Sequence, residues 1–240
     1  MNTNEIRRAP SVQVMQFSAP ADVGDVVIEA LPGDGWYSKI LMPYLGANGR
    51  LIGVDYSLAM WPEFGAWATP EFIDGRKAWP AQWAVDAKTW GGANGAKGEA
   101  YTFATMPAEL TGKVDAVLFI RALHNLARFD AKGNYLKKAL AETHRVLKPG
   151  GVVGIVQHAM AEDKPDAWAD GSRGYLKRSY LINAMTAAGF EFAGESDINK
   201  NPKDDPQADD NVWRLAPSLS GTEEQKAKNS LIGESNRMTL

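Results

Sequence analysis

Residues able to do chemistry stand at the ends of short apolar runs. Glu29 lies in the run Val26-Val-Ile-Glu-Ala30, and the chain continues Leu31-Pro32-Gly33-Asp-Gly35-Trp36-Tyr37. Glycines at 33 and 35 let a backbone approach a ligand closely. Asp55 follows the next run, Arg50-Leu-Ile-Gly-Val54, twenty residues after Gly35, where an acid can hold a ribose diol. On spacing alone the turn suits a nicotinamide dinucleotide as well as S-adenosylmethionine, because Gly-x-Gly-x-x-Ser is a near-miss of the dinucleotide fingerprint. Charge favours the second. A pyrophosphate would meet Glu29 and the bulk of Trp36 and Tyr37, whereas a sulfonium and an ammonium suit a carboxylate and an aromatic face.

Two histidines complete the set. His124 follows the run Asp115–Ile120 and His158 follows Gly151–Gln157, so both point at one crevice if those runs are parallel neighbours. A neutral imidazole there is a base near pH 7 or a substrate anchor. The alternative for His124 is a loop-orienting hydrogen bond. No third ligand of comparable placement accompanies them, so no metal is expected. His144 sits in the last turn of a helix, a structural place for a cation. Arg121, ending the fourth run, suits a carboxylate of cofactor or substrate, or a salt bridge to Asp115 or Glu29. Thr105 and Met106 follow the third run, at 99–103. Tyr56, Met60, Trp61 and Asn125 lie near Asp55 or His124, with Met60, Trp61 and Asn125 as candidate pocket walls. The acidic loop Asp204-Asp205…Asp209-Asp210 lacks the glycine and terminal glutamate of a calcium loop and reads as solvated.

The elements that position these residues alternate in type. Strands are expected at 26–30, 50–54, 99–103, 115–120 and 151–157, with a closing pair at 190–193 and 212–215. An amphipathic helix runs over 135–147, with Leu136, Leu140, Thr143 and Leu147 on one stripe, and stops at Lys148-Pro-Gly-Gly151. A second helix begins near Ser179 and ends at Gly189. Such alternation predicts an α/β fold with a mainly parallel, doubly wound sheet. The stretch 56–97 reads as an aromatic insertion of short helices and loops between strands two and three. It carries Trp61, Trp67, Trp79, Trp83 and Trp90, five of the eight tryptophans, as a satellite core or as a lid over an aromatic acceptor. One domain is expected over 1–220, followed by a polar arm over 221–240 through which copies of the chain could associate.

Composition sets the outer limits. The 240 residues are 45% hydrophobic and 23% charged, enough for a sizeable core. A net charge of −3 speaks against binding nucleic acid or an anionic membrane, and the absence of cysteine excludes disulfides, thiolate metal sites and a cysteine nucleophile. No apolar run approaches a membrane span. Met1–Arg8 lacks the apolar stretch of a secretory signal, so a cytoplasmic protein is expected.

Taken in order, Glu29…Pro32-Gly33-Asp-Gly35, Gly53-Val-Asp55-Tyr-Ser, Arg121-Ala-Leu-His-Asn125-Leu and Arg145-Val-Leu-Lys-Pro-Gly-Gly151 resemble class I S-adenosylmethionine-dependent methyltransferases. The resemblance covers about 25–215. It is nearest to a bacterial subgroup of predicted methyltransferases with Pro-Gly-x-Gly as first motif, an Asn-Pro-x-Asp loop (Asn201–Asp204) and a Val-Trp-Arg-Leu strand (Val212–Leu215). It implies a seven-stranded Rossmann-like sheet with an antiparallel last strand. It also implies S-adenosylmethionine bound by Glu29, Leu31–Gly33, Gly35–Tyr37, Asp55 and Tyr56, with methyl transfer to a small, apolar or aromatic molecule. Leu31 replaces the superfamily's first glycine, and no acid near Phe103–Pro107 meets the adenine amine, which leaves that work to backbone near Ala104–Met106. A sulfonium-assisted cyclisation or rearrangement, cofactor cleavage and a non-catalytic binding module are the alternatives.

Overall fold

The computed structural model describes residues 23–240; the reading of Met1–Arg8 falls outside them. Five parallel strands form the centre: β1 (Val26–Ala30), β2 (Arg50–Asp55), β3 (Lys97–Thr102), β4 (Val114–Ile120) and β5 (Leu147–Met160). Their order is β3-β2-β1-β4-β5. Two short strands complete a seven-stranded, mainly parallel sheet. β6 (Leu176–Lys177) pairs with the end of β5, and β7 (Arg237–Thr239) runs antiparallel to β5 with His158 opposite Arg237.

The unbroken apolar runs follow from burial on both faces. Alternate residues of each strand feed different cores. Ile28, Ile52, Val54, Val117 and Phe119 belong to one, and Val27, Leu51, Ala116 and Leu118 to the other. The second core is roofed by α1 (Ser38–Leu45) and α2 (Pro70–Gly91). On the first face lie α3 (Leu123–Arg128), α5 (Tyr135–Val146) and α6 (Arg178–Ala187), with the short α4 (Asp130–Gly133) between α3 and α5. In α5 the predicted stripe is buried at Leu136, Leu140 and Thr143. In α6 Leu181 is buried, but Ser179 lies inside the helix and its hydroxyl donates to Glu162 instead of capping.

The aromatic stretch is mostly one element. A 3-10 turn (Leu58–Phe64) leads into α2, a 22-residue helix that makes the crossover from β2 to β3, where short helices and loops were expected. Thr69 caps it by accepting from the Phe72 N–H, and Pro70 stands at the first turn, where no N–H is needed. Pro80 inside the helix reads as a breaker in sequence. Packing carries the helix through it, because Gly53 and Gly98 leave a flat patch on which Trp83 and Ala87 rest. A Cβ at Gly98 would lie 2.4 Å from that of Ala87.

The closing strands differ from expectation. Residues 190–193 have no regular structure, and Val212–Arg214 form a 3-10 turn. That turn buries Val212 and Leu215 and sends Arg214 inward to a carboxylate. The antiparallel strand comes instead from the stretch expected to be a free polar arm. That stretch holds α7 (Glu223–Ser230), started by a Thr222–Gln225 capping box, and then β7. Because 190–193 add no strand, a cavity of about 710 Å³ lies beside the amino half of β5, bordered by α6 and Phe190–Ser196. Among the described residues no helix is long and apolar enough to cross a membrane.

Candidate functional site

The strand order reverses between β1 and β4, so the crevice for a ligand opens at the carboxyl ends of these strands. Both exits are built alike. Leu31 leaves β1 with a left-handed backbone (φ 58°) and donates its N–H to Val54 at 2.7 Å. Arg121 leaves β4 at φ 57° and donates to Val156 at 2.6 Å. Left-handed geometry costs a non-glycine residue about 1–2 kcal/mol, so these exits hold strain beside the crevice.

Glu29 is 3% exposed and accepts a 2.5 Å hydrogen bond from the Ser38 hydroxyl at the start of α1. Burial pushes its carboxyl up to about 8, and the Ser38 bond only partly opposes this. No lysine or arginine among the described residues forms an ion pair with it. Gly33 is open, with nothing within 4 Å of a would-be Cβ, whereas at Gly35 the Trp90 ring stands 2.5 Å away. The positive φ of Gly35 therefore serves helix packing, and Gly33 offers the open backbone. Pro32 is buried, and Trp36, 51% exposed, stands edge-on to half-buried Tyr37.

Asp55 is buried and paired with Arg76 of α2, a residue that sequence reasoning missed. The Arg76 guanidinium is stacked over Trp61 and Trp79 at 5.0 and 5.1 Å. Burial raises the Asp55 carboxyl above its usual range while Arg76 opposes the rise. Its neighbour Tyr56 is buried and accepts a 2.9 Å bond from the Asn125 amide. Thr105 closes a tight turn by accepting from the Thr102 N–H; Thr105 is exposed and Met106 buried. Met60 is wholly buried in the core and has no face to offer a ligand. Trp61 packs with Tyr56, Phe64, Trp67 and Phe72 at centroid distances of 5.1–6.2 Å. The tryptophans thus divide: Trp61 and Trp67 pack with Phe64 and Phe72, Trp61 lying against the Arg76 that pairs with Asp55, and Trp79, Trp83 and Trp90 pack with the second core.

His124 begins α3 and His158 lies on β5, with ring centroids 5.8 Å apart. Burial lowers His124 to about 4. Burial together with His124, Arg121 and Arg237 holds His158 well below the usual imidazole range. Both rings are therefore neutral near pH 7. His158 Nδ1 lies 2.6 Å from the hydroxyl of Ser235, and Trp213 stands edge-on to His124. His144 packs on Phe190, away from the crevice. Asp115, a candidate partner of Arg121, pairs with Lys148 instead.

The loop read as solvated is in part a clamp. The Asp204 side chain is fully buried and accepts from Arg214 at 2.8 Å, from the Tyr175 hydroxyl at 3.1 Å and from the Asn236 N–H at 2.9 Å. Asn201 donates to the carbonyls of Ile232 and Glu234. Together they fix residues 232–236 against the crevice, which is how Ser235 reaches His158. The paired Asn201 and Asp204 were visible in the sequence; what they hold was not. Asp205 stays exposed beside Lys164.

A buried carboxyl without a cation, beside the open backbone at Gly33, fits a ligand carrying an ammonium. The methionine end of S-adenosylmethionine satisfies that requirement and a pyrophosphate does not. Comparison with known proteins agrees. A family model described as a methyltransferase domain matches residues 86–155. No curated protein matches the chain. Similar solved structures include a SAM-dependent methyltransferase from Aquifex aeolicus, at 15% identity and TM-score 0.48, covering 82% of this chain and 93% of that one. An arsenic(III) S-adenosylmethionine methyltransferase from Chlamydomonas reinhardtii follows at 16% identity and TM-score 0.47, covering 98% and 69%. The [4+2]-cyclase SpnF matches at 18% identity and TM-score 0.46, and the chain spans 55% of its length against 74% of its own. The fold is a Rossmann-like doubly wound sheet, and the methyltransferase-domain match implies S-adenosylmethionine as its cofactor.

Proposed function

We propose that the protein is an S-adenosylmethionine-dependent methyltransferase acting on a small molecule with an apolar or aromatic body. The observation that carries this is Glu29, a buried carboxyl at the end of β1 with a hydroxyl for company and no cation. Glu29, the backbone at Leu31–Gly33 and Tyr37 would hold the methionine end, and Asp55 the ribose. A carboxylate has enough lone pairs to serve both a diol and Arg76. When bound, the cofactor supplies an electrophilic methyl on a sulfonium. The chain's own part is to orient the acceptor and to exclude water, and positioning of this kind accounts for much of the rate in such displacements. Trp61 and Tyr56 pack together beside Asp55, and His124 and His158 stand at the ends of β4 and β5, the groups proposed to border the acceptor.

Calorimetry with S-adenosylmethionine, S-adenosylhomocysteine and NAD tests the assignment. Binding of both sulfur compounds and not of NAD is the expected result; failure of both to bind refutes it. Binding without methyl turnover across a broad acceptor panel would move the protein to the cyclisation, rearrangement or binding-module readings.

A further inference from the structure

β7 does more than close the sheet. Arg237 faces His158 across the β5–β7 ladder, and residues directly opposed in a ladder place their side chains on the same face. Its terminal nitrogen pairs with Glu234 at the surface, while its Nε is buried without a partner. One residue before β7's neighbour Asn236, the 3% exposed Ser235 puts its hydroxyl on His158 Nδ1 at 2.6 Å. A hydroxyl carries one proton, and among the described residues Ser235 Oγ has no acceptor for it other than this nitrogen. The bond is therefore satisfied when Oγ–H donates to Nδ1, which places the imidazole proton on Nε2. His158 then carries its N–H on Nε2, and its one lone pair, on Nδ1, is engaged by the Ser235 hydroxyl. Arg121, with no ion pair among the described residues, lies near enough to act electrostatically on both His158 and Tyr37, as does Arg237.

We propose that β7 completes an acceptor subsite for an oxyanion, a carboxylate or phenolate, in which Ser235 fixes His158 as an Nε2–H donor and Arg237 supplies the positive charge. His158 is on this account an anchor and not a general base, and Ser235 is a positioning residue. The proposal deepens the methyltransferase reading and rests on it only for the identity of the reaction. An acceptor that arrives as an anion already holds its nucleophilic electron pair. Attack on a sulfonium methyl forms the oxygen–carbon bond, the carbon–sulfur pair leaves with sulfur, and no proton needs to move.

The chain has three histidines, so 15N-imidazole spectra of the full-length protein resolve them, with His144→Gln and His158→Gln for assignment. At neutral pH His158 is expected as the Nε2–H tautomer. Ser235→Ala should mix the tautomers, and Ser235→Thr should restore the preference. Benzoate should shift the His158 signals, with its affinity at least about tenfold weaker in Arg237→Gln and partly recovered in Arg237→Lys, while benzamide leaves the signals in place. A wild-type Nδ1–H tautomer, absence of benzoate binding, or benzoate affinity unchanged in Arg237→Gln overturns the proposal. Affinity for S-adenosylhomocysteine, measured in parallel, should fall far less than benzoate affinity in Arg237→Gln. If the wild type binds benzoate through Arg237 but not S-adenosylhomocysteine, the subsite stands and the methyltransferase reading falls.

Discussion

On the proposed function, Glu29 makes cofactor binding a proton-coupled event. In the free protein its carboxyl titrates at about 8, because burial penalises the charge and only Ser38 stabilises it. A cofactor ammonium beside it favours the carboxylate, so the proton must leave when the complex forms. Apparent affinity then scales with the ionised fraction, which is about 1% at pH 6, 9% at pH 7 and 50% at pH 8. Affinity for S-adenosylhomocysteine should rise about 50-fold between pH 6 and 8 and level off above. Calorimetry in buffers of different ionisation enthalpy should count about 0.9 proton released per complex at pH 7. The sign in the free protein is opposite. A carboxyl whose folded pKa lies above its unfolded value keeps a proton that the unfolded chain gives up, so stability falls as pH rises from about 4.5 towards 8. Glu29→Gln should flatten both profiles, weakening the complex and sparing the free protein its loss at high pH. A flat affinity between pH 6 and 8, no proton release, or the same slope in Glu29→Gln would refute the reasoning.

Three further outcomes follow from the packing. Asp204→Ala leaves Arg214 buried without its partner and unclamps residues 232–236. Chemical denaturation should show a loss of about 3–5 kcal/mol, and the His158 tautomer signal should change with it. Gly98→Ala drives a methyl into Ala87, so it should cost about 1–3 kcal/mol by the same assay while an exposed control such as Gly75→Ala costs little. Trp61→Ala removes a buried ring from the aromatic group over Asp55. It should cost about 3–5 kcal/mol in thermal or chemical unfolding, and a loss under 1 kcal/mol would show that the group is not part of the folded core.

The central strands were legible because burial on both faces writes itself as unbroken apolar runs, as in Asp115–Ile120. The amphipathic stripe of α5 was equally plain. β7 was not, since Arg-Met-Thr is three residues long and takes its place from the Asn201 and Asp204 clamp, not from its own pattern. α2 was obscured because its stability comes from the Gly53 and Gly98 patch, which lies elsewhere in the sequence. At the candidate site, the placing of Glu29 and Asp55 at the carboxyl ends of strands could be read from the sequence. Arg76 and Ser235 could not, because nothing in their local sequence says which distant side chain they will meet. Val212–Leu215 misled for a related reason: a short apolar run around an arginine reads as a strand, but here it is a tight turn that carries the arginine to a buried carboxylate.

The two sides of the crevice differ in the length of chain that each must close. Glu29 and Asp55 are brought together by β1 and β2, joined by one short crossover, whereas Ser235 and His158 are 77 residues apart in the chain. Closing the longer loop costs more chain entropy and is repaid only after β5 is in place. On the proposed function, β1 and β2 carry the residues for the cofactor while β7 and the stretch before it carry those for the acceptor, so removing the last strand should spoil the second set and leave the first.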